Sequence, residues 1–320
     1  MKNNKSIITD KDVLILQKLL EDGRKSSASI SKEIDLGREI VNYRIKRLIK
    51  ENLIVKFVPR INEKAMHFQE YIILLKLNLD DEVSKQKFAY DTIGNKYLIW
   101  TIKSDSGWDL IVRLYAASND EFKEKLAEIL DGFSSVLTNY YTIISSDEIK
   151  ENEKEVISRE LFQKDISKKD FSVIKEDVFG QVDDKDKEIL NLLETDARIQ
   201  YKEIGEKLEI SADTVKYRID KMKTLGVIKN FTPIINFSKL GFYQYAMIVK
   251  FSFLNNEEEL KFEAIIENEK SIIKAIKSMN SVEFFLNLIF DNEENIEDFK
   301  NKIKDKFKNK IENVEIFKLD

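Results

Sequence analysis

Val41-Asn42-Tyr43-Arg44-Ile45 returns 174 residues later as Val215-Lys216-Tyr217-Arg218-Ile219, and this recurrence decides how the chain is organised. Working outward, residues 10–62 align with 184–236 without a gap and are identical at 18 of 53 positions, Asp12/Asp186, Arg24/Arg198, Phe57/Phe231 and Pro59/Pro233 among them. The offset persists through Tyr71/Tyr245, Lys76/Lys250, Phe88/Phe262 and Ile102-Lys103-Ser104/Ile276-Lys277-Ser278. A fixed offset over most of a chain marks a duplicated unit, and it constrains every later assignment. Residues 147–183 have no counterpart and read as a linker. Its first part, 147–155, is charged and is expected to be solvated. Val156-Ile157, Leu161-Phe162, Val173-Ile174 and Val178-Phe179 are too apolar for free coil and predict that part of the linker docks on one module.

Local chemistry sets the elements within each copy. Thr9-x-x-Asp12 and Asp183-x-x-Asp186 are capping-box starts, because a side chain at each end of the box can satisfy an amide that the first helical turn leaves open. Val13, Leu16, Leu19 and Leu20 follow at helical spacing until Asp22-Gly23. Further helices are predicted at about 27–34 and 38–51, separated by the tight turn Asp35-Leu36-Gly37. Three short helices with that turn make a helix-turn-helix. Residues 53–62 alternate as a strand pair would, which reads as a wing.

Beyond the wing the period changes. Strands are predicted at 71–79, 97–103, 108–115 and 136–144, with helices at 82–94 and 119–132. The second copy follows with 245–253, 256–270, 272–277, 282–290, 293–309 and 314–319. The order βαββαβ is the ferredoxin-like split unit. The fold class is therefore α+β, two copies of a winged helix-turn-helix followed by a ferredoxin-like domain. The expected boundaries are 1–63 and 64–146 for the first copy, 147–183 for the linker, and 184–237 and 238–320 for the second.

Composition excludes several kinds of chemistry. Of 320 residues 42 % are hydrophobic and 35 % charged, a balance that supplies real cores. No apolar run approaches the ~20 residues that span a bilayer, and Ile7-Ile8 is too short for a signal-peptide core. A cytoplasmic protein without membrane partners is expected. The absence of cysteine removes disulfides, thiolate metal sites and cysteine nucleophiles. A single histidine, His67, cannot build a histidine-rich metal site. It stands among apolar neighbours before a predicted strand and reads as a packing residue. No cofactor or metal is expected.

The net charge is −5, yet its distribution is uneven. Residues 24–60 carry ten basic and four acidic side chains, and residues 198–234 carry eight and five. Basic heads on an acidic body orient the heads toward a polyanion. On the third helix Val41, Ile45 and Leu48 share one face at 100° per residue. Arg38, Asn42, Tyr43, Lys46, Arg47 and Lys50 are the candidate DNA-binding residues of the first copy. Asn42 suits adenine, and Lys46, Arg47 and Lys50 suit phosphates or guanine edges. Lys216, Tyr217 and Lys221 are their counterparts in the second copy. Arg44 and Arg218 lie at the edge of the buried stripe, so a phosphate contact and an ion pair with a first-helix aspartate are both open to them. Arg24 and Arg198 share that ambiguity.

Asp10-x-Asp12-x-x-Ile15-Leu16-x-x-Leu19-x-x-Asp22-x-Arg24, then Val41-x-x-Arg44-Ile45-x-x-Leu48, resembles the Lrp/AsnC (feast/famine) regulators. So does Asp184-x-Asp186-x-x-Ile189-Leu190-x-x-Leu193-x-x-Asp196-Ala197-Arg198 with Ser211-x-x-Thr214-Val215-x-x-Arg218-Ile219. The resemblance covers nearly everything except the linker. It implies a sequence-specific transcriptional regulator that binds double-stranded DNA and is not an enzyme. Family members carry one module and dimerise through the α/β sheet, so this chain resembles a covalent version of that dimer, an intrachain pseudo-dimer open to further homo-oligomerisation. Ser106-Gly107-Trp108-Asp109 resembles the family's turn at which small-molecule effectors, often amino acids, bind. Asp109 would take the ammonium group. The second copy has Asn280-Ser281-Val282-Glu283 there, without glycine or aromatic. Two other functions fit the scaffold. Siroheme decarboxylases also pair two such modules, but they use a histidine-rich stretch where this chain has Gly94-Asn95-Lys96-Tyr97-Leu98-Ile99-Trp100. A ligand sensor whose heads have lost DNA binding is the other.

Overall fold

The structure is a computed structural model that describes residues 8–62, 67–78, 98–101, 108–151 and 181–319. The helix expected at 82–94, the apolar pairs of the linker, and Ser106 and Gly107 lie outside the described residues. The chain folds as two compact units, each drawn from both copies. One holds the two helical heads and the other the two α/β domains.

In the head unit the first copy supplies α1 (Asp10–Glu21), α2 (Ser27–Glu33) and α3 (Arg38–Lys50), followed by strand β1 (Ile54–Ile61). Both capping boxes form. The Thr9 amide donates to the Asp12 carboxylate at 2.8 Å, and the Asp183 and Asp186 amides donate to each other's carboxylates at 3.2 and 2.9 Å. Ile15, Leu16 and Leu19 of α1 meet Val41, Ile45 and Leu48 of α3 in a buried core. Each such side chain contributes ~1.5–3 kcal/mol by leaving water. The second α/β domain and second head share the same local rules. After the linker come, on the head, α5 (Asp184–Thr195), α6 (Tyr201–Leu208), α7 (Ala212–Thr224) and β6 (Ile228–Ile235). The α2 and α6 turns close on left-handed residues at equivalent places, Asp35 with φ 51° and Glu209 with φ 55°.

The expected strand pair of the wing exists, but its two strands come from different copies. Between Leu53 and Asn62 no Gly or Asn-Gly pair offers the positive φ that a two-residue hairpin needs, so β1 runs straight and pairs antiparallel with β6. Val58 lies opposite its own equivalent, Thr232, and Phe57/Pro233 mirrors Pro59/Phe231. The ribbon therefore has a local twofold symmetry. Flanking bonds repeat it: the Gly23 amide donates to Phe231 at 2.7 Å and Ala197 to Phe57 at 3.0 Å, while Asn62 donates to Val227 at 2.8 Å and Asn236 to Leu53 at 2.9 Å.

The α/β unit consists of β2 (Gln69–Leu77), β3 (Leu98–Thr101), β4 (Leu110–Ala116), α4 (Asn119–Gly132) and β5 (Leu137–Glu151) from the first copy. The second supplies β7 (Tyr243–Phe251), α8 (Asn256–Asn268), β8 (Ile272–Ser278), β9 (Glu283–Phe290), α9 (Asn295–Lys306) and β10 (Ile311–Lys318). All eight strands join one sheet in the order β10-β7-β9-β8-β5-β2-β4-β3. Each half follows the ferredoxin-like order, and the seam between copies is β5 with β8. Alternation along each strand gives two buried faces. Tyr71, Ile73 and Leu75 pack with Ile129 and Phe133 under α4, and Tyr245, Met247 and Val249 pack with Phe262 and Phe299 under α8 and α9. The opposite faces meet each other: Ile72, Leu74, Ile111 and Ile143 share a core with Ile248, Ile276, Phe285 and Phe317. Either face alone would leave an apolar patch in water.

Two local expectations are corrected. Residues 147–151, expected as solvated linker, continue β5 along β8 as far as Glu151 opposite Lys274. Glu148 lies there 3.3 Å from the Lys274 ammonium, and Lys150 donates to the Ile266 and Glu267 carbonyls at the end of α8 at 3.1 and 3.0 Å. His67, expected as a buried packing residue, is exposed and has φ 53°. Its equivalent Gly241 has φ 83°, so the position is a left-handed turn that glycine adopts without cost. Among the described residues no helix is long and apolar enough to cross a membrane, and no group of three metal-ligating side chains assembles.

Candidate nucleic-acid interface

The third helices α3 and α7 bury one stripe and present the other to solvent. Val41, Ile45 and Leu48, and Val215, Ile219 and Met222, form the buried stripes. On the outer faces Tyr43 and Tyr217 are 68 % and 69 % exposed. Arg38, Lys46 and Lys50 are exposed around Tyr43, and Lys216 beside Tyr217, with Asn42 at the rim of the first face. Two matched tyrosines thus stand in water on the third helices, and an aromatic ring buries a large area when it docks.

Four candidate cations, Arg44, Arg47, Arg218 and Lys221, are engaged within the heads. Asp12 is fully buried at the start of α1, where Arg44 reaches it at 2.9 Å and Arg47 at 2.7 Å. Burial by itself would raise the Asp12 carboxyl. The Thr9 amide and hydroxyl, Arg44 and Arg47 outweigh it and hold the group below its ordinary value. In the second head Arg218 binds Asp183 at 2.7 Å and Asp186 at 2.8 Å, and Lys221 donates to the Gln181 carbonyl at 2.6 Å. Arg44 and Arg218 thus take the ion-pair alternative. Arg47 and Lys221, expected to face a ligand, are turned toward the first helix of their own head instead. The reason is the buried aspartate, which needs more than one donor.

Arg24 and Arg198 serve neither of the roles that the sequence left open. The Arg24 guanidinium donates to the Ala197 carbonyl and, at 3.0 Å, to that of Ile199, and it lies 4.6 Å over the Tyr201 ring. Arg198 donates to the Lys25 carbonyl at 3.1 Å and covers Phe57 at 4.9 Å. Each arginine of one head is spent on the backbone of the other. Their identity in both copies was the available signal, but nothing in it named the partner.

In the α/β unit the turn residues are placed differently from expectation. Asp109 is half-buried and one oxygen of its carboxylate accepts the Leu77 amide at 2.8 Å, so it closes the β2–β4 ladder. The Trp108 indole donates to Glu315 of the second copy at 3.2 Å. Beside it opens a cavity of about 170 Å³ lined by Trp108, Tyr141, Ile248, Lys250, Glu283 and Glu315 together with Glu312 and Asn313. Tyr141 donates to Glu283 at 3.0 Å. Burial pushes the Glu283 carboxyl up despite that bond, and burial with the Glu283 charge pushes the Tyr141 hydroxyl up to about 12. Glu283 is the second-copy equivalent of Asp109, whereas Glu315 and Tyr141 carried no sequence signal, because the cavity forms only where the two copies meet.

An AsnC-type helix-turn-helix domain matches residues 182–223, and a winged helix-turn-helix DNA-binding domain matches residues 8–55. The HTH-type transcriptional regulator LrpB of Bacillus subtilis is 41 % identical over 85 residues, 26 % of this chain and 56 % of LrpB, so that match spans about half of the relative's length. An uncharacterized HTH-type transcriptional regulator of Pyrococcus abyssi is 30 % identical over 152 residues, 45 % of this chain and 97 % of the relative. Among solved structures the siroheme decarboxylase NirDL superposes with a TM-score of 0.57 at 11 % identity, covering 97 % of this chain and 90 % of that one. That likeness is one of fold.

Proposed function

The chain belongs to the Lrp/AsnC family of HTH-type transcriptional regulators, and from that premise we propose that it binds specific sites in double-stranded DNA through both heads of a single chain and has no catalytic activity. The observation that carries this is the pair of exposed tyrosines, Tyr43 and Tyr217, at matching places on α3 and α7. Arg38, Asn42, Lys46 and Lys50 surround the first, and Lys216 accompanies the second. The half-buried Arg44, Arg47, Arg218 and Lys221 contribute by tying each third helix to the start of its first helix. The protein acts in the cytoplasm, where duplex DNA is accessible to it.

For an effector we propose an amino acid taken into the cavity beside Trp108. Glu283 and Glu315 suit an ammonium group there, and Lys250 suits a carboxylate. Asp109 supports the wall of that site and does not touch the ligand.

The test is retention of genomic fragments by the purified protein, followed by sequencing. Enrichment of defined fragments, lost on Tyr43→Ala with Lys46→Ala, is the expected result. Retention that is unaltered by these substitutions overturns the assignment of α3. A haem-type absorption band that appears on adding an iron tetrapyrrole, with loss of a substrate carboxylate, would replace a regulator by an enzyme.

A further inference from the structure

The two heads are locked as a twofold pair by one ribbon. Val58 sits opposite Thr232, and the same reciprocal backbone bonds hold both sides. Matching positions on α3 and α7 are therefore equivalent about the ribbon's local twofold, and on a duplex they would meet two half-sites. When two heads are chemically identical, this symmetry requires the two half-sites to be an inverted repeat. Here the heads are not identical where it matters. Position 42 is Asn and its equivalent 216 is Lys; position 46 is Lys and its equivalent 220 is Asp. The two positions of each head stand one helical turn apart on one face. Lys46, Lys216 and Asp220 are exposed and Asn42 is half-exposed.

We propose, resting on the DNA-binding role above, that this chain recognises a non-palindromic operator built of two different half-sites. Asn42 pairs with adenine through N6 and N7, and Lys46 donates to guanine O6 or N7. In the second head Lys216 takes guanine and Asp220 accepts from the cytosine N4 amine. The reversal at 46/220 is the strongest discriminator, because an inverted repeat of the first half-site would set guanine acceptors against the Asp220 carboxylate. Tyr43 and Tyr217 are common to both heads and dock them without distinguishing the half-sites. A single mispaired position costs roughly tenfold to hundredfold in affinity.

The experiment selects duplexes from a random pool with the full chain, and in parallel with the double variant Lys216→Asn, Asp220→Lys, which gives α7 the α3 residues at both positions. Both substituted residues are exposed, and equal melting of the two proteins verifies the fold. The expected result is a site with two unlike halves for the natural chain and an inverted repeat for the variant. An inverted repeat selected by the natural chain overturns the proposal, as does a variant whose halves still differ in the original way. Failure of the natural chain to retain any duplex at low salt overturns the DNA-binding role itself and so separates the two ideas.

Discussion

Arg24 of the first head donates to the carbonyl of Ile199 in the second at 3.0 Å, and the same guanidinium also reaches Ala197. A charged donor shared between two backbone carbonyls is worth more than a neutral hydrogen bond, roughly 1.5–3 kcal/mol. Arg24→Ala is expected to lower head-unit stability by about that amount and to speed hydrogen exchange in β1 and β6. Arg24→Lys is expected not to restore it, because one ammonium cannot present the planar fork. Unchanged exchange in both strands would show that the ribbon holds the heads without the arginine.

Asp12 gives the head unit an acid dependence. Its folded value lies below the ordinary one, so its contribution is present above the unfolded value of about 3.9 and is lost as pH falls through the folded value. Asp12→Asn leaves Arg44 and Arg47 without their anion and is expected to cost about 3 kcal/mol at pH 7. The gap between variant and natural protein should narrow below about pH 4. Melting curves at pH 7 and pH 3 measure it, and a gap that is the same at both values would show that the carboxylate charge is not what matters.

Asp109→Ala removes the acceptor of the Leu77 amide and is expected to destabilise the α/β unit by about 1–2 kcal/mol. From sequence alone a hairpin-tip carboxylate reads as dispensable for folding. A melting temperature unaltered by the substitution would return Asp109 to the effector role.

Lys46 and Arg47 should separate in a salt titration of DNA binding. Lys46→Ala is expected to flatten the slope of log affinity against log salt by ~0.9, the value of one phosphate contact. Arg47→Ala is expected to leave the slope nearly intact and to lower the melting temperature, since Arg47 is tied to Asp12. Equal loss of slope in both variants would place Arg47 on the DNA after all.

The duplication, the helices and their ends were legible because they depend on spacing within a few residues. Thr9-x-x-Asp12 marks where α1 begins, and the apolar run that starts at Tyr71 marks a strand. The outer face of α3 was legible for the same reason, since Val41, Ile45 and Leu48 define the side that Tyr43 cannot be on. Strand partners were decided only in three dimensions. The lack of a turn residue within 53–62 keeps β1 from folding back, but nothing local names β6 as its partner or says that β5 runs on along β8. The same holds for charge. Arg47 and Lys46 are neighbours of like sign, and only the position of buried Asp12, far away in the chain, turns one inward and leaves the other in solvent. Helical periodicity is written into adjacent residues, whereas a hydrogen-bonding edge or a buried ion acquires its partner from whatever the tertiary fold brings beside it.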